Sequence, residues 1–200
     1  MRTADIVLNL WIFLVTLVLV TGFFRQDGKW DPERGRKAFR FFTTQSNVLC
    51  AAAALATALA QLSGGLPRWV WTLKYIGTAA LTVTMMTVFV YLWPLFGKGG
   101  LKSLLKGFEL WLHLLTPLAA ILSFCLLEKQ GMSFAESLWG LLPLALYGPL
   151  YLYKTVYAPE EKRWDDFYSF NKQGKWPAAF ALMMAGGLLI CLAFMAAQNA

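Results

Sequence analysis

The strongest constraint in this sequence is its set of long apolar stretches, each close to the length that crosses a lipid bilayer. A helix needs about 20 apolar residues to cross roughly 30 Å of hydrocarbon. Six stretches meet this requirement, and we predict a membrane-spanning helix for each: Ile6–Phe24, Ala38–Ser63, Trp69–Phe96, Leu104–Leu127, Phe134–Tyr157 and Trp176–Ala197. The short connections between them predict one all-α domain, residues 1–200, built as a bundle of six transmembrane helices.

The composition agrees with this class of protein. Hydrophobic residues make up 58% of the chain and charged residues only 14%, whereas soluble domains carry about a quarter charged residues. The first apolar stretch follows Arg2, as a signal peptide would, but it is too long and lacks a small-residue cleavage site before Arg25. We therefore expect the first helix to be retained.

Lysine and arginine are divided unequally between the two sides of the predicted membrane. Fourteen of the eighteen lie in or beside the first, third and fifth loops, and four lie on the opposite side. Short loops rich in these residues remain in the cytoplasm. This asymmetry predicts that both termini are non-cytoplasmic, in a multi-pass protein of the plasma (cytoplasmic) membrane if the source is microbial. The net charge of +7 favours membrane lipids and no nucleic acid as partners. The oligomeric state stays open.

Cysteine and histidine restrict the chemistry that this chain can perform. Cys50, Cys125 and Cys191 lie in three different spans, so they indicate neither a disulfide framework nor a metal site. The single histidine, His113, excludes bis-histidine haem ligation and zinc sites built on several histidines. Phosphate-loop and nucleophile-elbow motifs are missing as well. We predict no cofactor and no metal.

The fourth predicted span contains an ionisable pair inside the membrane. Glu109, His113 and Pro117 follow one another at four-residue intervals and share a helix face. Pro117 has no N–H for the carbonyl of residue 113, which predicts a bend there. Glu109 could orient the imidazole ring and stabilise its protonated form. Alternatively, Glu109 pairs with Lys106 or Lys102 at the membrane surface, and His113 only joins helices by a hydrogen bond.

The second predicted span opens with the polar sequence RFFTTQSN, residues 40–47. Arg40, Thr43 (or Thr44) and Asn47 are spaced by three and four residues and share a face. Counted from the cytoplasmic side, Thr43 lies roughly 8 Å deep and His113 roughly 14 Å deep at 1.5 Å per residue. We therefore expect the two side chains to meet in the cytoplasmic half of the bundle.

Such a meeting would have a chemical use. A neutral histidine can take the proton of a threonine hydroxyl and make it a nucleophile. Asn47 could donate a hydrogen bond to a developing oxyanion, and Arg40 could hold a substrate carboxylate. The alternative is structural, because threonine, serine and asparagine also cap helices and join neighbours in membranes.

The polar start of the second span and the segment from His113 to Pro117 in the fourth span resemble the androgen-induced-gene-like (FAR-17a-like) six-span integral membrane family. The resemblance covers most of the chain in span count and layout and is specific around Phe42–Asn47 and Leu112–Pro117. It implies an intramembrane threonine hydrolase that cleaves fatty acid esters of hydroxy fatty acids, with Thr43 as nucleophile and His113 as base. Thr44 beside Thr43 leaves the nucleophile ambiguous by one residue. The fifth loop, RWDDFYSFN, is more acidic than expected for the family.

Three hypotheses follow from the sequence. The first is a lipid-ester hydrolase with Thr43 and His113 as catalytic residues and Arg40, Thr44, Asn47 and Glu109 as supporting or substrate-binding residues. The second is a small transporter or a lipid or weak-acid binding protein that uses the His113 pair as a proton relay. The third is a scaffold in which the polar cluster only joins helices. We interpret the four tyrosines between residues 147 and 157 as an interfacial belt rather than a pocket.

Overall fold

We describe the protein from a computed structural model, which describes residues 1–94 and 105–200. The chain is mostly helical. Its elements in chain order are α1 (Arg2–Phe23), β1 (Arg25–Gln26), β2 (Lys29–Trp30), α2 (Pro32–Ala38), α3 (Phe42–Leu62), α4 (Arg68–Leu92), α5 (Phe108–Leu127), the segmented helix α6 (Phe134–Ser137, Leu138–Leu141, Leu142–Leu152 and Tyr153–Tyr157) and α7 (Trp176–Asn199). Single 3-10 turns at Glu160–Lys162 and Lys172–Gly174 lie in the last loop.

Within the described part of the chain, five helices are long and apolar enough to cross a membrane: α1, α3, α4, α5 and α7. Such helices satisfy their own backbone hydrogen bonds, as the interior of a bilayer requires. The predicted all-α class is confirmed at this level, and the count of six spans stays a prediction. The end of the third predicted span, the start of the fourth, Lys98 and Lys102 lie outside the described residues.

The predicted fifth span, Phe134–Tyr157, is helical along its length but is not one regular helix. A 3-10 turn at Leu138–Leu141 precedes Pro143, and Pro149 lies inside the α-helical part. A π-helical turn at Tyr153–Tyr157 ends the segment. Proline removes a hydrogen-bond donor and clashes with the preceding turn. The two prolines therefore explain why α6 changes from a 3-10 turn to an α-helix and then to a π-helical turn.

The second predicted span, Ala38–Ser63, begins four residues later than predicted, at Phe42. Ala38 ends the separate short helix α2, which Asp31 caps by accepting from the Arg34 backbone N–H at 3.0 Å. Asp31 followed by Pro32 is a strong helix start. Phe41 then adopts an extended conformation, and α3 begins at Phe42. The polar stretch therefore occupies the first turns of a new helix.

The long helices alternate in direction, which gives the bundle two distinct ends. At one end the start of α1 meets the end of α3, where Gln61 donates to Asp5 at 2.9 Å. The last residues of α7 lie at the same end, where Gln198 donates to the Phe124 carbonyl of α5 at 2.7 Å. We call this the termini end. The opposite end contains the start of α3 and the end of α4, and we call it the Thr43 end.

A buried cluster of charged and polar side chains holds the termini end together. The Lys74 ammonium lies 3.0 Å from the Glu128 carboxylate, and both side chains are fully buried. Lys74 also donates to Asn9 and to Ser123. The Asn9 amide donates to Asp5 at 2.8 Å and to Glu128 at 2.9 Å. The ammonium therefore pairs with the Glu128 carboxylate and reaches Asp5 through Asn9, which joins α4 to α1 and to the end of α5.

Replacing Lys74 tests whether this cluster stabilises the fold. Removing one partner of a buried ion pair costs about 3–5 kcal/mol because the other charge stays buried. We expect Lys74→Met to lower the free energy of unfolding by that amount, measured by denaturant titration in detergent micelles. The control is Lys129→Met, which replaces an exposed lysine at the same end. It should change the free energy of unfolding by less than about 0.5 kcal/mol.

The double variant Lys74→Met with Glu128→Gln removes the uncompensated carboxylate and should recover part of the loss. A Lys74→Met protein as stable as the wild type would show that the cluster does not hold the helices.

Candidate functional site

Hydrogen bonds to the preceding residues and to α4 and α6 fix the start of α3. Gln45 donates to the Phe39 carbonyl at 2.8 Å, and Tyr147 of α6 donates to the Arg40 carbonyl at 2.8 Å. Ser46 shares a hydrogen bond of 2.8 Å with Thr84 of α4. These bonds fix the rotation of α3 about its axis and hence the direction of each residue in RFFTTQSN.

The two adjacent threonines point in different directions. Successive residues of an α-helix are rotated by roughly 100°, since 3.6 residues complete a turn. Thr43 lines the large cavity described below, whereas Thr44 is 3% exposed and lies off that wall. The structure therefore separates two residues that the sequence left equivalent, and only Thr43 meets the space where a ligand fits.

The cavity has a volume of about 860 Å³ and lies between α4, α6 and α7. Its wall is mostly apolar, and it includes Val90, Leu182 and Leu189, which are all more than 60% exposed. The cavity is therefore open sideways between α4 and α7, on faces that would contact lipid. Ligand sites are concave, mostly apolar spaces of about 300–1,000 Å³ with a few placed polar groups, and this cavity has that form.

Tyrosine hydroxyls and Thr43 form the polar end of the cavity. Tyr147 and Tyr151 are buried on its wall, while Tyr153 and Tyr157 are exposed. The interpretation of all four as an interfacial belt is therefore wrong for the first two. Both lie in the α-helical part of α6 that contains Pro149, and proline bends a helix. Both hydroxyls already donate hydrogen bonds within the protein. Tyr147 donates to the Arg40 carbonyl, and Tyr151 donates to the Asp166 carboxylate at 3.2 Å.

A folded loop, residues 164–171, closes this end of the cavity. Asp166 accepts from the backbone N–H groups of Phe170 and Asn171, each at 2.8 Å. Within the loop, Tyr168 lines the cavity and lies against the Thr43 side chain. Burial raises the pKa of Tyr168 to about 12, and the Thr43 hydroxyl partly offsets this rise. The phenol is therefore protonated at neutral pH.

His113 lies in a π-helical turn of α5, Trp111–Leu115, and is almost fully buried. Its Nε2 atom is 3.4 Å from the Glu109 carboxylate. The predicted pairing of Glu109 with His113 is present, whereas the alternative partner Lys102 lies outside the described residues. π-Helical turns are rare and are frequent at functional sites.

Pro117 follows the π-helical turn and affects which carbonyl of that turn lacks a backbone donor. The Thr116 N–H bonds to the Trp111 carbonyl, five residues back. In this register the next carbonyl, that of Leu112, faces Pro117, which has no N–H. The Leu112 carbonyl therefore lacks a backbone donor, and the prediction that Pro117 frees the carbonyl of residue 113 stays a prediction.

Asn47 supplies the missing donor from the neighbouring helix. Its amide donates to the Leu112 carbonyl at 3.3 Å and to the Thr43 carbonyl at 2.8 Å. This bridge, which we call the Asn47 bridge, connects the turn of Thr43 to the residue before His113. Both amide hydrogens are used, so they are not free to bind an oxyanion. The Asn47 side-chain oxygen is buried without a hydrogen-bond partner.

The structure brings the predicted residues together only in part. The helices that carry Thr43 and His113 are in contact through the Asn47 bridge, and their predicted depth in the membrane stays a prediction. His113 does not line the cavity that Thr43 lines. Arg40 is exposed, and its guanidinium lies 6.0 Å from the centre of the Trp164 ring. The catalytic roles of all six residues stay predictions.

Comparisons with known proteins leave the family undecided. A scan against protein-family models, a search of the curated proteins and a search of the solved structures gave no match to this chain. The resemblance to the FAR-17a-like family therefore stays a hypothesis based on the residues of α3 and α5. Among the described residues, no group of three or more His, Cys, Asp or Glu side chains is placed to hold a metal ion.

Sequence reasoning missed the contribution of the last loop. Asp166 and Tyr168 stood out only as part of an acidic, aromatic segment in an otherwise basic loop. Asp165 and Asp166 were a usable signal, because a carboxylate beside aromatic residues in a loop commonly accepts several backbone N–H groups. No local pattern placed this loop against Thr43.

The Asn47 bridge yields a prediction that a double-mutant cycle can test. Asn47→Leu leaves the Leu112 carbonyl without a donor, which costs about 1–3 kcal/mol for a buried polar group. Pro117→Ala supplies a backbone N–H to the same region of α5. We expect the pair of changes to destabilise less than the sum of the two single changes, measured by unfolding in detergent. Strict additivity would mean that Asn47 and Pro117 are not coupled through Leu112.

Proposed function

We propose that the chain is a polytopic membrane protein with six spans and both termini on the non-cytoplasmic side. Five long apolar helices and the helical course of α6 over Phe134–Tyr157 support this count. The termini end carries few Lys and Arg residues, and the loops at the Thr43 end carry many. The Thr43 end then lies in the cytoplasmic half of the membrane.

We propose that the protein is an intramembrane hydrolase of fatty acyl esters, with Thr43 as nucleophile and His113 as general base. The observation that carries this proposal is the position of Thr43 at the polar end of an apolar cavity of about 860 Å³. A single acyl chain fits such a space, and its ester group then lies among hydroxyls. The resemblance to the FAR-17a-like family forms part of this proposal.

The chemistry follows from few groups. His113 takes the Thr43 proton as the hydroxyl oxygen attacks the ester carbonyl carbon, and the same proton then passes to the leaving alcohol. Glu109, 3.4 Å from the ring nitrogen, stabilises the imidazolium that forms between these steps. Water then hydrolyses the acyl-threonine. This sequence requires His113 to reach the Thr43 hydroxyl directly or through one water. The Asn47 bridge, which joins α3 to α5 one residue before His113, supports this requirement.

The cavity also suggests how a substrate enters. Its opening between α4 and α7 faces lipid, so an acyl ester enters from the bilayer without crossing water. Arg40 and Lys154 lie near Trp164 at the same end, 6.0 Å and 5.9 Å from its ring centre. A free carboxylate on the substrate would find these cations at headgroup level.

Labelling with a fluorophosphonate tests the nucleophile. We expect the wild type in detergent to be labelled, Thr43→Ala to lose labelling, and His113→Ala to react at least about 100-fold more slowly. Thr44→Ala is the matched control, because it removes the same group one residue away, off the cavity wall. Labelling of folded Thr43→Ala at the wild-type rate would refute the proposed hydrolase.

A substitution inside the cavity tests where the acyl chain binds. Gly186 of α7 lines the cavity, and a side chain there would meet no atom within 4 Å at its first carbon. We expect Gly186→Leu to reduce labelling by a long-chain fluorophosphonate about tenfold, equal to about 1.4 kcal/mol of binding. A short-chain probe and the control Gly186→Ala should react as in the wild type. Equal loss with both probes would place the acyl chain elsewhere.

A second candidate is a lipid or weak-acid binding or transport protein without hydrolase activity. His113 lies off the cavity wall, and both Asn47 amide hydrogens are used, which favours binding over chemistry. Under this alternative, a fluorescent fatty acid binds to wild type and Gly186→Leu binds it more weakly, while no variant turns over an ester.

A further inference from the structure

Tyr168 is the cavity tyrosine whose hydroxyl lies at the Thr43 side chain, where it also contacts the Tyr147 hydroxyl and the first backbone N–H groups of α3. On the cavity wall, the Tyr91 hydroxyl donates to the Tyr168 carbonyl at 2.9 Å. The hydroxyls of Tyr147 and Tyr151 donate to Arg40 and Asp166. Tyr168 is the fourth tyrosine on this wall, and its neighbour is the Thr43 side chain.

The loop holds the Tyr168 backbone from both sides. Its N–H donates to the Tyr151 hydroxyl at 3.2 Å, and its carbonyl accepts from Tyr91 of α4. Asp166 fixes the following turn through Phe170 and Asn171. A phenol placed in this way costs little further ordering when a ligand arrives, which is the condition for effective electrostatic stabilisation of a transition state.

An oxyanion donor is also what the proposed site otherwise lacks. Attack by Thr43 converts the ester carbonyl oxygen into an oxyanion, and preorganised donors close to that oxygen lower the barrier. The Asn47 amide is committed to two backbone carbonyls. The raised pKa of Tyr168 keeps its phenol protonated near neutral pH, as a donor must be.

We propose that Tyr168 is a catalytic residue whose phenol donates a hydrogen bond to the substrate carbonyl oxygen as Thr43 attacks. This inference rests on the proposed hydrolase. In the step, the bond from the Thr43 oxygen to the carbonyl carbon forms, and the Thr43 proton passes to His113. The former carbonyl oxygen takes the negative charge and accepts from Tyr168, which keeps its proton. The carbonyl re-forms when the alcohol leaves with the proton from His113.

The test compares the kinetics of fluorophosphonate labelling in Tyr168→Phe and wild type. We expect the maximal labelling rate to fall by about 10²–10³-fold, as on losing an oxyanion donor, with the half-saturating probe concentration changed by less than about twofold. Tyr153→Phe, at an exposed position off the cavity, is the matched control and should react as wild type. Unfolding in detergent checks that each variant is folded.

A second variant tests the same role if the Tyr168→Phe protein does not fold. Fluorotyrosine at position 168 keeps the ring shape and lowers the phenol pKa. We expect the alkaline loss of labelling to move to lower pH, which a merely structural phenol would not cause. An unchanged pH profile and rate in the fluorotyrosine protein would overturn the role of Tyr168.

The outcomes separate this inference from the proposed function. If Thr43→Ala and His113→Ala lose labelling but Tyr168→Phe reacts as wild type, only the role of Tyr168 is overturned. If Thr43→Ala is labelled as wild type, the hydrolase and the role of Tyr168 are both overturned. If Thr43→Ala, His113→Ala and Tyr168→Phe all lose labelling while Tyr153→Phe reacts as wild type, both the hydrolase and the role of Tyr168 are supported.

Discussion

The ion pair between Lys74 and Glu128 is the interaction on which the arrangement of the helices depends. An uncompensated charge inside an apolar bundle is costly, so the helices must meet where Lys74 finds its carboxylates. Asn9 and Ser123 complete its hydrogen bonds, and Asp5 reaches the same cluster through Asn9. Because these groups come from α1, α4 and α5, one cluster determines how three helices are rotated and how deep each lies. The termini end is therefore specified, and the cavity runs from Thr43 at the opposite end to Ala197 of α7.

At the Thr43 end, contacts between helices depend instead on backbone carbonyls that have lost their N–H donor to a proline. Pro117 removes one N–H from α5, the helix widens into a π-helical turn, and Asn47 donates to the carbonyl that remains. Pro149 likewise removes a backbone N–H from α6, the helix that places Tyr147 and Tyr151 on the cavity wall. A bilayer offers no water to satisfy such groups, so neighbouring helices must do so. The cavity and its polar rim are consequences of these irregular helices.

Several features could be predicted from the sequence because they depend on local pattern. The length of each apolar stretch indicated the long helices, and the four-residue spacing placed Glu109 beside His113, as observed at 3.4 Å. The start of α3 was missed by four residues, since the extended residue Phe41 interrupts an otherwise helical run. Glu128 was overlooked as the partner of Lys74, and Asp5 as a member of the same cluster, because each lies near the end of an apolar stretch and resembles a surface residue. The missing donor of Leu112 was overlooked, because it follows from a change of helix type that no propensity indicates.

By itself, the sequence determined that this chain forms long apolar helices, that a charge and a histidine lie within them, and that Pro117 leaves a carbonyl without a donor. These are consequences of composition and spacing along one segment. Only the tertiary structure decided that Thr43 rather than Thr44 meets the cavity, that Asn47 satisfies Leu112, and that Tyr168 lies against Thr43. The physical reason is helix rotation. A turn of roughly 100° separates neighbouring residues, and that rotation is set by packing and hydrogen bonds between segments that are far apart in the chain.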